Sequence, residues 1–134
     1  MTLLGFDFGT RRIGVAVGNR ISGTAQPLVT LESRDGGPDW AAIAELIATW
    51  SPQALVVGLP LTLDGEEQEV SRLARRFANR LHGRFGLPVE LADERLSSRE
   101  VERRFPEQIR KDRSATDRLA ACEILQSWLE MNRE

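Results

Sequence analysis

Residues 3–17 read Leu-Leu-Gly-Phe-Asp-Phe-Gly-Thr-Arg-Arg-Ile-Gly-Val-Ala-Val, two apolar runs separated by a short polar turn. Leu3 to Phe8 is expected to be a strand, with Leu4, Phe6 and Phe8 on one face and Leu3, Gly5, Asp7 and Gly9 on the other. Ile13 to Val17 reads as a second strand, hairpinned to the first across a tight turn, and Ala25 to Leu31, entered at Pro27, as a third. Strands joined by turns this short run antiparallel.

Downstream the pattern changes from hairpins to alternation. A helix is expected from Pro38 or Asp39, with Trp40, Ile43, Ile47 and Trp50 at helical spacing, and Ser51-Pro52 ends it. Leu55-Val56-Val57 is wholly apolar, as a central strand covered on both faces requires. A long helix follows, Glu66 to Gly83, with Val70, Leu73, Phe77 and Leu81 as its buried stripe. Val89 to Ala92 is a fifth strand, a short helix capped by Ser97 or Ser98 ends at Pro106, and a last helix runs from Ser114 to Met131. Strands separated by helices lie parallel through right-handed crossovers. The expected fold is therefore α/β, a mixed five-stranded sheet with three antiparallel strands, then parallel ones, and helices on both faces. One domain is expected to span residues 1–134.

Composition agrees with a globular domain: 134 residues, 41% hydrophobic and 28% charged. One Cys and one His exclude a disulfide framework and a zinc site of Cys/His type. No apolar run approaches bilayer length, and the N-terminal stretch meets Asp7 without a basic region, so the chain reads as cytoplasmic with no membrane partner. Cys122 reads as a small buried hydrophobe, His82 as a helix-end surface residue and Trp128 as core. The net charge of −2 conceals an asymmetry: residues 1–71 carry 4 basic and 9 acidic side chains, residues 72–118 carry 13 and 8. All the cationic side chains but Lys111 are arginine, the residue suited to forked recognition of phosphate; a G+C-rich genome would give the same bias.

Three acidic positions fall where a purely structural sequence would avoid them. Asp7 lies between Phe6 and Phe8 in a strand, and Gly5 and Gly9 beside it are expected to leave room for a ligand. Asp93-Glu94 follows the fifth strand directly. Asp117 shares a helical stripe with Ala121, Ile124 and Trp128. Taken singly, Asp117 could serve the helix dipole and Asp93-Glu94 ordinary strand-end polarity. Together, carboxylates from separate elements of one sheet suit a hard cation, Mg²⁺ or Mn²⁺, and in-line phosphoryl displacement. Arg11 and Arg12 flank Asp7, Arg95 follows Glu94, and Lys111 and Arg113 precede Asp117, a basic rim fit to neutralise nucleic-acid phosphates. Arg12 could alternatively pair with a carboxylate at its turn.

The runs Asp7-Phe8-Gly9-Thr10-Arg11-Arg12-Ile13-Gly14-Val15-Ala16-Val17, Val56-Val57-Gly58-Leu59-Pro60-Leu61 and Asp93-Glu94-Arg95-Leu96-Ser97-Ser98, with Asp117, Ala120-Ala121 and Ile124-Leu125-Gln126, resemble the YqgF/RuvX family. The resemblance spans nearly the whole chain in order. It implies an RNase H-like fold and a metal-dependent nuclease, the family being described both as Holliday junction resolvases and as nucleases maturing the 5′ end of 16S rRNA. It implies that Asp7, Glu94 and Asp117 are the catalytic metal ligands. Spacing alone leaves Asp93 and Glu94 equivalent; the resemblance selects Glu94. The chain departs from the family at Ser98, commonly Thr, and in a shorter stretch from Phe105 to Thr116. The implied partners are pre-16S rRNA, in ribosomal precursor particles, or branched DNA, met by a monomer or homodimer. Two other classes are weighed against this. Asp7-Phe8-Gly9-Thr10 also resembles the phosphate loop of sugar kinases, actin and Hsp70, which need a second domain. A non-catalytic RNA-binding maturation factor would gain nothing from carboxylates that repel phosphates.

Overall fold

The computed structural model describes residues 1–34, 37–60, 64–93 and 115–132. Its strands are β1 (Thr2–Phe8), β2 (Arg12–Asn19), β3 (Thr24–Arg34), β4 (Gly37–Pro38), β5 (Ala54–Leu59) and β6 (Val89–Asp93). Its helices are α1 (Trp40–Trp50), α2 (Glu69–Phe85) and α3 (Ala115–Met131). The sheet order is β4-β3-β2-β1-β5-β6. β1–β2 and β2–β3 pair antiparallel, β1–β5 and β5–β6 parallel, as the connection lengths require. The sheet has six strands rather than the expected five, because Gly37-Pro38 pairs with Ser33 and Arg34. A two-residue strand carries no alternation to read. Pro27 lies inside β3 beside a shift in the β2–β3 register, where no described strand pairs with the other edge of β3. The expected helix between Ser97 and Pro106 lies outside the described residues.

Strand alternation divides the core into two layers. Leu4, Phe6, Ile13, Val15, Leu55 and Val57 pack with Ile43 of α1 and Phe77 and Leu81 of α2. Leu3, Ala16 and Val56 on the other face pack with Ala121, Ile124, Leu125 and Leu129 of α3. Leu55, Val56 and Val57 are fully buried from both sides. The helix ends follow local chemistry. Asp39 accepts from the Ala42 N–H at 3.1 Å, an N-cap that holds the first turn of α1. Gly86, at φ 68°, closes α2 in the left-handed region where a side chain would be strained.

The α2 stripe differs from expectation. Ser71, Ala74, Phe77, Ala78 and Leu81 are buried, whereas Val70 is 36% exposed. Ser71 displaces Val70 because its hydroxyl donates to the Pro60 carbonyl while accepting from the Gln68 N–H. That pair ties the start of α2 to the end of β5 and fixes the rotation of the helix. Cys122 is buried as expected. Trp128 is only partly buried, with the Arg20 guanidinium 5.4 Å from its ring centroid. His82 is exposed at the end of α2, its Nδ1 2.9 Å from the Leu87 carbonyl oxygen.

Candidate active site

Gly14 of β2 sits directly opposite Asp7 of β1, and opposed residues in an antiparallel ladder project to the same face. A Cβ built on Gly14 would stand 1.8 Å from the Asp117 carbonyl oxygen and 2.1 Å from its carbonyl carbon. The first turn of α3 therefore lies on the sheet at the very point where Asp7 emerges. The absence of a side chain at Gly14 lets the Asp117 backbone settle on the sheet face to which Asp7 projects.

Further along the same contact, a Cβ on Gly5 or on Gly18 would come within 2.9 Å of Leu125 side-chain atoms. Gly5, Gly14 and Gly18 are thus the bed of α3. The sequence expectation that Gly5 and Gly9 clear space for a ligand is corrected here. The space at Gly5 is filled by Leu125 and the Ala121 backbone, and a Cβ on Gly9 would stand 2.6 Å from the Arg12 carbonyl oxygen. Gln126 completes the seating: its side-chain oxygen accepts from the Ala25 N–H at 2.8 Å, and its amide donates to the Gly23 carbonyl at 2.8 Å. One amide satisfies two backbone groups at the start of β3 and fixes α3 along its axis.

Asp117 is three-quarters covered, its side chain 23% exposed, and the half-exposed Arg12 places Nε 2.9 Å from Oδ2. That oxygen is buried and accepts no hydrogen bond among the described residues, so the contact is an ion pair without hydrogen-bond alignment. Burial pushes the Asp117 carboxyl above the usual aspartate range, and Arg12 and Arg118 pull it back only in part. A largely buried carboxylate whose counter-charges offset its burial only in part is unfavourable for the empty fold and is suited to an arriving cation.

A stability consequence follows. Because the native pKa is raised, Asp117 favours the folded state fully only below the ordinary aspartate pKa, and that contribution is lost as pH rises through the native value. Asp117→Asn is expected to melt higher than the parent at neutral pH. The gap should close as pH falls below about 4. Thermal melts across a pH series check it.

Asp93 lies on the wrong face for this site. Val89 and Leu91 pack into the layer of α1 and α2, whereas Ala92 packs into that of α3. Asp93, one residue on from Ala92, thus projects away from the Asp7 face. Glu94, Arg95, Lys111 and Arg113 lie outside the described residues. Arg11 is exposed in the β1–β2 turn beside Arg12. Among the described residues no group of three or more His, Cys, Asp or Glu could hold a metal. No described helix is long and apolar enough to cross a membrane. Gly14 is the positioning residue that sequence reading missed, although Gly5, Gly14 and Gly18 fall on one face of two adjacent strands, a pattern visible in the alternation.

A family profile described as "RuvX: Holliday junction resolvase" matches residues 1–131. Curated relatives carry the name "Putative pre-16S rRNA nuclease". The relative from Pasteurella multocida is 51% identical over 133 residues, covering 97% of this chain and 95% of its own. That from Escherichia coli O7:K1 is 50% identical over 132 residues, covering 96% of both chains. Among solved structures, Thermus thermophilus RuvC in complex with a Holliday junction substrate superposes with a TM-score of 0.58 at 16% identity, covering 98% of this chain and 94% of that one. The Fowlpox virus resolvase in complex with Holliday junction DNA gives 0.61 at 12% identity, covering 98% of each. The expected RNase H-like fold is thereby confirmed. With the profile running to residue 131 and half of all positions shared with relatives of equal length, this chain belongs to the RuvX family of RNase H-like nucleases.

Proposed function

We propose that this protein is a divalent-metal-dependent endonuclease of the cytoplasm that processes the 5′ end of pre-16S rRNA. The observation that carries the reading is the placement of Asp7 and Asp117 on one face at Gly14. Glu94 is the third carboxylate of the proposed set, and the outward projection of Asp93 supports that choice over its neighbour. Oxygen donors of this kind suit Mg²⁺ or Mn²⁺, which is held by few carboxylates together with substrate phosphate oxygens. When bound, the metal supplies an activated water and a Lewis acid for phosphodiester hydrolysis.

The chain's own residues do the rest. Asp7 and Asp117 fix the cleavage position from two rigid elements. Arg12 balances Asp117 in the free protein and, being half exposed, can turn to a substrate phosphate once the carboxylate has another partner. Arg11, Arg95, Lys111 and Arg113 are the further backbone contacts of the proposed rim, which position the strand without reading its sequence.

The name of the relatives supports an rRNA substrate; the family description supports a four-way DNA junction as the second reading. A resolvase must cut two strands symmetrically and calls for a dimer matching a two-fold substrate, whereas one such domain suffices for trimming. Incubating purified protein with a pre-16S 5′-end RNA and with a four-way DNA junction, with and without Mg²⁺ or Mn²⁺, tests it. The expected result is metal-dependent cutting of the RNA. Faster cutting of the junction makes the protein a resolvase, and cutting of neither makes it a binding factor.

A cation that binds only the folded state also raises its stability. Millimolar Mg²⁺ or Mn²⁺ is expected to raise the Tm of the parent protein and to raise that of Asp7→Asn less. Equal shifts in both would place the bound cation elsewhere.

A further inference from the structure

Helix α2 carries arginines at 72, 76, 80 and 84, one every four residues, and such rows form ridges on a helix surface. The four are not in the same electrostatic state. Arg72 is tied to Glu69 at 2.5 Å, and Arg75, in the neighbouring row, to Glu67 at 2.6 Å. No carboxylate among the described residues pairs with Arg76, Arg80 or Arg84.

Arg80 and Arg84 are nonetheless held in place. Their guanidinium carbons lie 5.0 and 4.2 Å from the centroid of the same ring, that of Trp40. Trp40 stacks in turn on the core residue Phe77, with centroids 5.7 Å apart and planes 27° from parallel. The ring is therefore a rigid platform, and cation–π attraction orders two side chains that would otherwise sample many rotamers. Two cations on one ring repel each other, and an anion between them relieves that repulsion.

The ridge lies on the sheet face opposite to Asp7 and starts from the same end of the sheet. Helix α2 follows β5, so its first turn lies at the end of the sheet where β1, parallel to β5, delivers Asp7. A depression of about 290 Å³ lies between Arg76, Arg80, Pro38 and Phe8, on the face of the sheet that α1 and α2 cover. From there the three arginines, which no described carboxylate pairs, run for about 12 Å along the helix axis.

We infer that Arg76, Arg80 and Arg84 form a second backbone-binding ridge, which grips the phosphodiester backbone of a double-stranded segment flanking the cleaved position. The inference rests on the proposed action on nucleic acid. Forked guanidinium groups match phosphate oxygens. A span of about 12 Å faces three or four phosphates of one strand. With Arg84 over Trp40, that ring face is not offered to a base, so the contact follows the backbone and not the sequence.

The test is binding of short blunt-ended DNA and RNA duplexes of one sequence, in EDTA so that nothing is cut, across a salt series. Arg76→Gln is expected to lower the DNA slope of log K against log salt by about 0.9, and Arg76→Gln with Arg80→Gln by about 1.8, with RNA affinity falling in parallel. Arg75→Gln, which removes a charge already paired with Glu67, should leave the slope unchanged. Arg76 is exposed, so Arg76→Gln keeps the test valid if the double variant proves unstable. Absence of duplex binding by the parent, unchanged slopes in the ridge variants, or an equal loss in Arg75→Gln overturns the ridge. If the ridge variants behave as expected while no RNA is cut, the proposed nuclease function falls and the ridge stands.

Discussion

Asp7→Asn is expected to lower metal-dependent cleavage on the order of a hundred- to a thousandfold, the rate equivalent of several kcal/mol of lost charge stabilisation. The substitution keeps the shape of the side chain in its half-buried strand position and removes only the charge. Folding should be retained or improved, because Asn keeps the shape and removes a charge that a partly buried strand position must desolvate. The outcome separates a functional acid from a structural one. A structural Asp7 would give a variant with lowered Tm and nearly full turnover per folded molecule. Single-turnover rates of RNA cleavage, normalised to folded protein by circular dichroism, decide it.

The second large effect is expected at a residue with no side chain. Gly14→Ala places a methyl group 1.8 Å from the Asp117 carbonyl oxygen, and the obstacle is backbone on both sides. A flexible side chain could yield; here α3 must lift from β2. Overpacking a core costs about 1–3 kcal/mol, occasionally more, and this position belongs at the upper end. For a domain of this size that corresponds to a Tm lower by roughly 10 °C or more. Cleavage should fall even below the melting transition, because lifting α3 separates Asp117 from Asp7. Gly5→Ala meets the Leu125 Cβ at 2.9 Å, a contact that can relax by a few tenths of an ångström, and should cost less in both respects. Comparing the two variants in a thermal melt and in the cleavage assay tests whether close approach of α3 at Gly14 assembles the site.

Much of this architecture was legible in the chain because it depends on local pattern. Alternation in residues 3–17 and the wholly apolar Leu55-Val56-Val57 run yield the strand directions, the two core layers and the central place of β5. Asp7 was legible as a candidate because a carboxylate between two phenylalanines has no ordinary structural explanation. What was not legible depends on contacts between distant residues. The Arg12–Asp117 ion pair joins two ends of the chain; sequence reading raised a carboxylate partner for Arg12 without being able to name it. Gly5 looked like room for a ligand beside Asp7, since nothing local reveals that a helix more than a hundred residues away lies on it. Val70 looked like core by spacing, but the hydrogen bonds of Ser71 to Pro60 and Gln68 set the rotation of α2. The placement of Trp40, from another helix, beneath Arg80 and Arg84 likewise joins distant residues and shows in no local pattern.

The central claim is that Asp7 and Asp117 act as one centre, and a double-mutant cycle measures this most directly. Cleavage rates of the pre-16S 5′-end RNA are compared for the parent, Asp7→Asn, Asp117→Asn and the combination, at saturating Mn²⁺. Residues that act as a unit give strongly non-additive losses. The combined variant is therefore predicted to be about as slow as the slower single one. Losses that multiply, or a full rate in either single variant, would contradict the account.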